Sequence, residues 1–231
     1  MIKKNSRSKI NFIDFSDKFD NDIIALQSLK CNDNLSFEKN LVTVIESIDL
    51  SKKDIAYSNQ IHSNIIKWVD KPGLIKNCDG LLTTKSIPLC IQTADCVPAF
   101  ILDNTKNFYG LVHSGWRGTL KKIIPKAVKE LVKKGSNIQH ISVLLGAAIE
   151  ECCYEVGIKF LKQFDKSCIS KRNDKFYFSN SKQIELDLIN IGLDINQITI
   201  SNECTYENKE LCSYRRDGDL SGRMISIIKR K

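Results

Sequence analysis

The chain has three histidines, His62, His113 and His140. Two of them, with Cys96, stand where apolar runs meet polar turns. Two imidazoles and a thiolate fill three corners of a tetrahedral zinc site and leave the fourth for water or substrate. The three residues are too dispersed for a zinc finger, whose ligands come in close pairs, but they suit ligands gathered from separate strand ends. Asp95 precedes Cys96, and Arg117 lies just beyond His113. Arg117 offers a planar fork matched to phosphate, and backbone N–H groups near Gly118 and Thr119 would open a helix and favour an anion.

The same residues admit other chemistry. Cys96 could be a nucleophile with His113 as its base. His₂Cys is also the ligand set of blue copper, with Met1 or Met224 as the axial sulfur. A multicopper centre needs more imidazoles than three. A non-catalytic module with a structural zinc would need a fourth protein ligand, with His140 or a further cysteine as donor.

The elements that must position these residues follow from periodicity. Apolar runs at 89–93, 97–102 and 108–112, bounded by turn residues, predict buried strands. Cys96 then sits on the tight turn between the first two, and His113 at the end of the third. Alternation over 54–62 predicts a strand with Gln60 and His62 on one face. A strand is also expected around 10–15, and short ones at 81–84, 141–149, 175–178, 197–201 and 223–228. Helical spacing predicts helices over 36–48, capped by Ser36, and over 119–134, 156–164 and 181–192. Pro125 falls inside the second of these, which must kink there or start later. Asp79 before Gly80 reads as turn chemistry or a site residue, and 215–218 as a charged turn holding Arg215 and Arg216.

Bulk properties bound the rest. The 231 residues are 42% hydrophobic and 27% charged, ordinary for a globular protein with a substantial core. The net charge of +8 is spread along the chain without an aromatic-interleaved basic stripe, so no nucleic-acid partner is expected. No apolar h-region follows the basic start and no run of 18 apolar residues exists, so neither a signal peptide nor a membrane span is expected. The nine cysteines are then expected to be reduced thiols in the cytoplasm, and adjacent Cys152 and Cys153 fit a disulfide framework poorly. No repeat, linker or shift in composition divides the chain. One α/β (α+β) domain over 1–231 is expected, with residues 1–35 poorly patterned.

Six segments resemble the laccase-domain family, also called the YfiH-like or peptidoglycan-editing-factor purine nucleoside phosphorylase family. They are NQIHS at 59–63, CDGLLTT at 78–84, TADCVP at 93–98, GLVHSGWRGTL at 110–120, LLGAAIEECCYEVG at 144–157 and SYRRDGDLSGR at 213–223. The resemblance runs from about residue 59 to the C-terminus. It implies a single layered domain with a sheet core flanked by helices, and metal ligands at His62, Cys96 and His113. It also implies phosphorolysis of purine nucleosides (adenosine, inosine, guanosine, methylthioadenosine) with adenosine deamination as a companion reaction. Zinc is the expected metal, with copper as the alternative. Purine nucleosides and phosphate are the expected partners, in a monomer or homodimer. Arg117, Asp95 and Gln60 are the expected catalytic residues. Gly118, Thr119, Asp79, Arg215 and Arg216 are the expected substrate-binding residues.

Overall fold

Strand Val97–Asp103 is buried along its whole length, and its two faces look into different cores. Phe100 and Leu102 pack with Ala25, Leu89, Ile91 and Met224. Val97, Ala99 and Ile101 pack with Ile124, Ala127, Val128 and Leu131. Side chains alternate along a strand, so a strand covered on both faces must read as one apolar run.

The computed structural model describes residues 2–3, 10–19, 22–30 and 37–231. One sheet runs, neighbour to neighbour, Ile2–Lys3, Phe12–Asp14, Ile23–Ser28, Met224–Arg230, Leu89–Thr93, Ala56–Ser58, Gly73–Ile75. The second runs Ile198–Ile200, Ile141–Leu145, Val97–Asp103, Tyr109–Ser114, Gly80–Thr83, Ile66–Val69. They face each other across the core that holds Phe100 and Tyr109, both fully buried. Burying each such ring contributes about 2–3 kcal/mol, and the Tyr109 hydroxyl donates to Ile87 O at 2.8 Å. Helix Phe37–Glu46 covers the outer face of the first sheet through Leu41, Val44 and Ile45. Helices Ile123–Lys133 and Asn180–Ile189 cover the second through Ile124, Ala127, Val128, Ile184 and Leu188. The layers are helix, sheet, sheet, helix, the sheet core flanked by helices that the sequence implied. A small third sheet joins Glu155–Val156, Lys175–Phe178 and Ile169–Arg172.

Several local expectations need correction. The strand expected over 54–62 stops at Ser58. Beyond it His62 adopts a left-handed conformation, with φ of 56°, so Gln60 and His62 do not share a strand face. The helix expected over 119–134 is two helices, Trp116–Leu120 and Ile123–Lys133. They break at Lys122, also left-handed with φ of 57°. Pro125 thereby falls in the first turn of the second helix, where a missing N–H costs nothing. The helix expected over 156–164 is a short strand followed by a 3₁₀ turn at Ile158–Lys162. The charged turn is a single helical turn, Tyr214–Asp217. Among the described residues before 36, Ile23–Ser28 is a mostly buried strand that the pattern did not announce. The expected cap Ser36 lies outside the described residues.

Candidate metal centre and its cavities

His113 ends strand Tyr109–Ser114, and Cys96 sits in the loop between Leu89–Thr93 and Val97–Asp103. These strands belong to opposite sheets, so the loop crosses the sandwich at its edge. His62 arrives from the loop after Ala56–Ser58. The fold brings one ligand atom from each of His62, Cys96 and His113 within 4.8 Å of one another. The group could hold a metal ion, and its exposure grades from buried His113 through Cys96 to exposed His62.

A single carboxylate organises two of the three. Asp79 is fully buried. It accepts the backbone N–H groups of Ile61 (3.2 Å), His62 (3.0 Å) and Ser63 (2.7 Å) and the Ser63 hydroxyl (2.6 Å). These bonds replace the ladder that strand 56–58 gives up, and they fold the His62 loop. Asp79 Oδ1 also lies 2.9 Å from His113 Nδ1, while Asp79 O accepts the His113 N–H at 2.7 Å. With Nδ1–H directed at the carboxylate, Nε2 presents its lone pair to the site, the arrangement that orients metal-binding imidazoles. Burial alone would raise the Asp79 pKa, but bonds from His113 and Ser63 outweigh it and hold the group at about 2.

Cys96 and His113 shift in opposite directions in the absence of a metal. Burial opposes charge on both, yet the neighbouring imidazoles lower the Cys96 thiol to about 6. The Cys96 thiolate and Asp79 together raise His113 to about 9. A thiolate is the form that binds metals or attacks carbon. Close approach is made possible by Gly115, where an added Cβ would lie 2.8 Å from Cys96 Sγ and 3.4 Å from a His62 ring carbon.

Two cavities open on the donors, and His62 and Cys96 line both. One, of about 320 Å³, is lined by His62, Asp95, Cys96, Trp116, Arg117, Tyr154 and Arg215, among others. Arg117 lies over the Trp116 ring at 4.5 Å, and Arg215 over the Tyr154 ring at 5.2 Å. The other, of about 470 Å³, is lined by Gln60, Gln92, His113, Tyr214 and Arg223 as well as His62 and Cys96.

The remaining expected site residues divide by position. Asp95 ties loops together: its carboxylate accepts from the Thr205 hydroxyl at 2.7 Å and the Arg215 N–H at 2.8 Å. Gln60 acts as a piece of backbone, donating to Gln92 O at 2.7 Å and accepting from Gln92 N at 2.9 Å. Gly118 and Thr119 are buried inside the helix rather than at its start. The Thr119 N–H is taken by Gly115 O at 3.0 Å, and its hydroxyl lies 2.8 Å from that of Ser114. Asp79 stands behind the His113 imidazole, outside the lining of both cavities. Arg216 turns away, its guanidinium donating to the carbonyls of Thr205, Tyr206 and Leu211 and pairing with Asp217 at 2.8 Å. Trp116, Tyr154, Asn180 and Tyr214 also line the first cavity and were not anticipated. Trp116 and Tyr154 lie within segments already noted for resemblance, which was the available signal.

A two-sheet sandwich with a thiolate and two imidazoles gathered at its edge defines a class of proteins with an open, metal-competent site. The chain belongs to the family described as multi-copper polyphenol oxidoreductase laccase, whose model matches residues 26–231. That match begins well before residue 59, within the strand Ile23–Ser28. A purine nucleoside phosphorylase of Clostridium acetobutylicum is 33% identical over 234 residues, covering 96% of this chain and 97% of that protein. One of Aquifex aeolicus is 35% identical over 179 residues, covering 77% and 84%. In fold, the chain is similar to YlmD from Geobacillus stearothermophilus, with TM-score 0.89 and 21% identity over 100% of this chain and 98% of that one. It is similar also to a hypothetical protein YfiH of Bacillus licheniformis, with TM-score 0.87 and 22% identity over 100% and 99%.

Proposed function

We propose that the protein is a zinc-dependent purine nucleoside phosphorylase acting on adenosine, inosine, guanosine and methylthioadenosine, with adenosine deamination as a companion reaction. The observation that carries this reading is the juxtaposition of the His62–Cys96–His113 group with a cavity whose walls pair two guanidinium groups with two aromatic rings. The names of the relatives support it.

Purine rings stack on aromatic faces, and phosphate takes the planar fork of arginine. Trp116 and Tyr154 would hold the base, and Arg117 and Arg215 the phosphate. In phosphorolysis a phosphate oxygen bonds to ribose C1′ as the C1′–N9 bond breaks. The electron pair leaves with the purine, which takes up a proton, giving ribose 1-phosphate and free base. Asp95 holds Arg215 through its backbone N–H and is a positioning residue. In deamination, water adds at C6 and ammonia leaves. His62, Cys96 and His113 would hold zinc, which when bound would supply Lewis-acid chemistry beside the cavity.

Zinc is preferred over copper because the chain has three histidines. The third, His140, lies against the Thr105 hydroxyl at 3.2 Å. The Met224 sulfur is fully buried and accepts from Gln27. The reading includes a cytoplasmic monomer or homodimer without nucleic-acid or membrane partners. Among the described residues no helix is long and apolar enough to cross a membrane.

The deciding experiment incubates purified protein with adenosine, with and without phosphate, and separates the products. Ribose 1-phosphate formed only with phosphate is expected. Base release independent of phosphate removes the phosphorylase reading. The opposed shifts of Cys96 and His113 favour a second reading, a cysteine hydrolase. Iodoacetamide separates the two: zinc-bound Cys96 is protected until a chelator is added, whereas a covalent nucleophile is alkylated with the metal content unchanged.

A further inference from the structure

Away from the histidines, a second group of donors stands together. Cys152, Cys153, Cys204 and Glu207 bring three sulfurs and a carboxylate oxygen within 4.8 Å of one another. Two separate segments meet to do this. Glu150 O accepts the N–H groups of Cys153 and Tyr154, both at 2.9 Å, which winds 150–154 into a tight turn. Cys204 pairs with Ala148 in a parallel bridge, secured by the Thr205 N–H on Ala148 O at 2.9 Å. The Asn208 N–H on Cys204 O, also 2.9 Å, curls the following residues so that Glu207 returns beside the sulfurs.

Two of these thiols differ from the core cysteines, while the third, Cys204, is buried. Cys78, Cys90 and Cys168 are each buried in a separate apolar cluster, as small core residues are. Cys152 is exposed and Cys153 half-buried, so neither is core filling. No disulfide joins the described cysteines. Three thiolates and a carboxylate supply four corners from protein alone, the composition of a closed site, and sulfur donors select zinc-like ions over magnesium or calcium.

We infer that Cys152, Cys153, Cys204 and Glu207 form a second metal site, which binds a soft divalent cation of the zinc class apart from the His62–Cys96–His113 group. The site is structural in placement. The residue after Cys153 is Tyr154, which lines the first cavity. The residue after Cys204 is Thr205, whose hydroxyl holds Asp95 beside Cys96. An ion here clamps two walls of the cavity together without touching what it contains.

The probe is cadmium(II), added without oxygen to the fully reduced chain. Uptake is read by thiolate-to-cadmium charge-transfer absorption and equilibrium dialysis, neither of which depends on turnover. Cys96→Ser serves as background, since it removes the thiolate of the histidine site. This variant is expected to retain one tightly held equivalent. Adding Cys152→Ser or Glu207→Gln, both at exposed positions, weakens that binding at least about tenfold. Glu151→Gln, next to the cluster but outside it, leaves it unchanged. Failure of Cys96→Ser to hold cadmium, or equal affinity after both Cys152→Ser and Glu207→Gln, overturns the proposal.

Discussion

Asp79 Oδ1 lies 2.9 Å from His113 Nδ1, and the same oxygen accepts the backbone N–H of His62 at 3.0 Å. One buried oxygen therefore sets the ring of one candidate ligand and the backbone of another. Asp79→Asn keeps the shape but offers one acceptor oxygen where two were used. Metal affinity is expected to fall about 10–100-fold. Stability should drop by on the order of 3 kcal/mol, because buried donors lose their charged partner. Metal titration and thermal melting read the two effects separately.

Acid should act through the same group. The Asp79 pKa falls from 3.8 unfolded to about 2 folded, so its contribution is full above about pH 4 and is lost as pH falls through 2. The amount is on the order of 2 kcal/mol. Melting curves of metal-free wild type and Asp79→Asn are expected to converge between pH 4 and 2; parallel curves would assign the acid sensitivity elsewhere.

Glu150 has the opposite sign. Burial raises its pKa from 4.5 to about 7, against the lowering effect of the Ser181 hydroxyl, which donates at 2.8 Å. A carboxyl that prefers its neutral form stabilises below the unfolded pKa and loses that contribution as pH rises through the folded one. Glu150→Gln should therefore be more stable than wild type above pH 7, by on the order of 3 kcal/mol, and melt at a higher temperature. Below pH 4.5 the two should coincide.

Adjacent arginines should separate by phenotype. Arg215 lines the first cavity, so Arg215→Ala is expected to raise KM for phosphate with little change in melting. Arg216 spends its guanidinium on loop carbonyls and Asp217. Arg216→Ala should cost about 2 kcal/mol of stability, from lost charge-assisted hydrogen bonds, with a smaller effect on phosphate dependence in the fraction that folds. Steady-state kinetics at varied phosphate, with melting curves, decides the pair.

Gly115→Ala tests the close approach. Its Cβ would stand 2.8 Å from Cys96 Sγ, so the thiolate must move. Zinc affinity is expected to fall at least about tenfold, with a loss of stability of the metal-free protein of about 1–3 kcal/mol.

The sheets and the site were legible to different depths. Central strands such as Val97–Asp103 announce themselves because both faces are covered, leaving no polar residue to interrupt the run. His113 was legible because histidine is scarce and it follows such a run, and Cys96 because it falls on the tight turn between two of them. The geometry around His62 was not. Alternation continued past Ser58, and only the distant Asp79 carboxylate, which takes the N–H groups of 61–63, ends the strand. Strand Ile23–Ser28 was hidden by Gln27. That side chain is fully buried because it donates to Ala147 O at 3.1 Å and accepts from Ala147 N at 2.8 Å, a partner far along the chain. Likewise Arg215 and Arg216 look alike in sequence, and one helical turn places Arg215 at the first cavity and Arg216 among loop carbonyls.

His62 and Cys96 border both cavities, as do Ala94 and Tyr214, so the two hollows adjoin along these residues. Two occupants that both touched these side chains would be thermodynamically linked, and whatever factor the first imposed on the second's affinity, the second would return in equal measure.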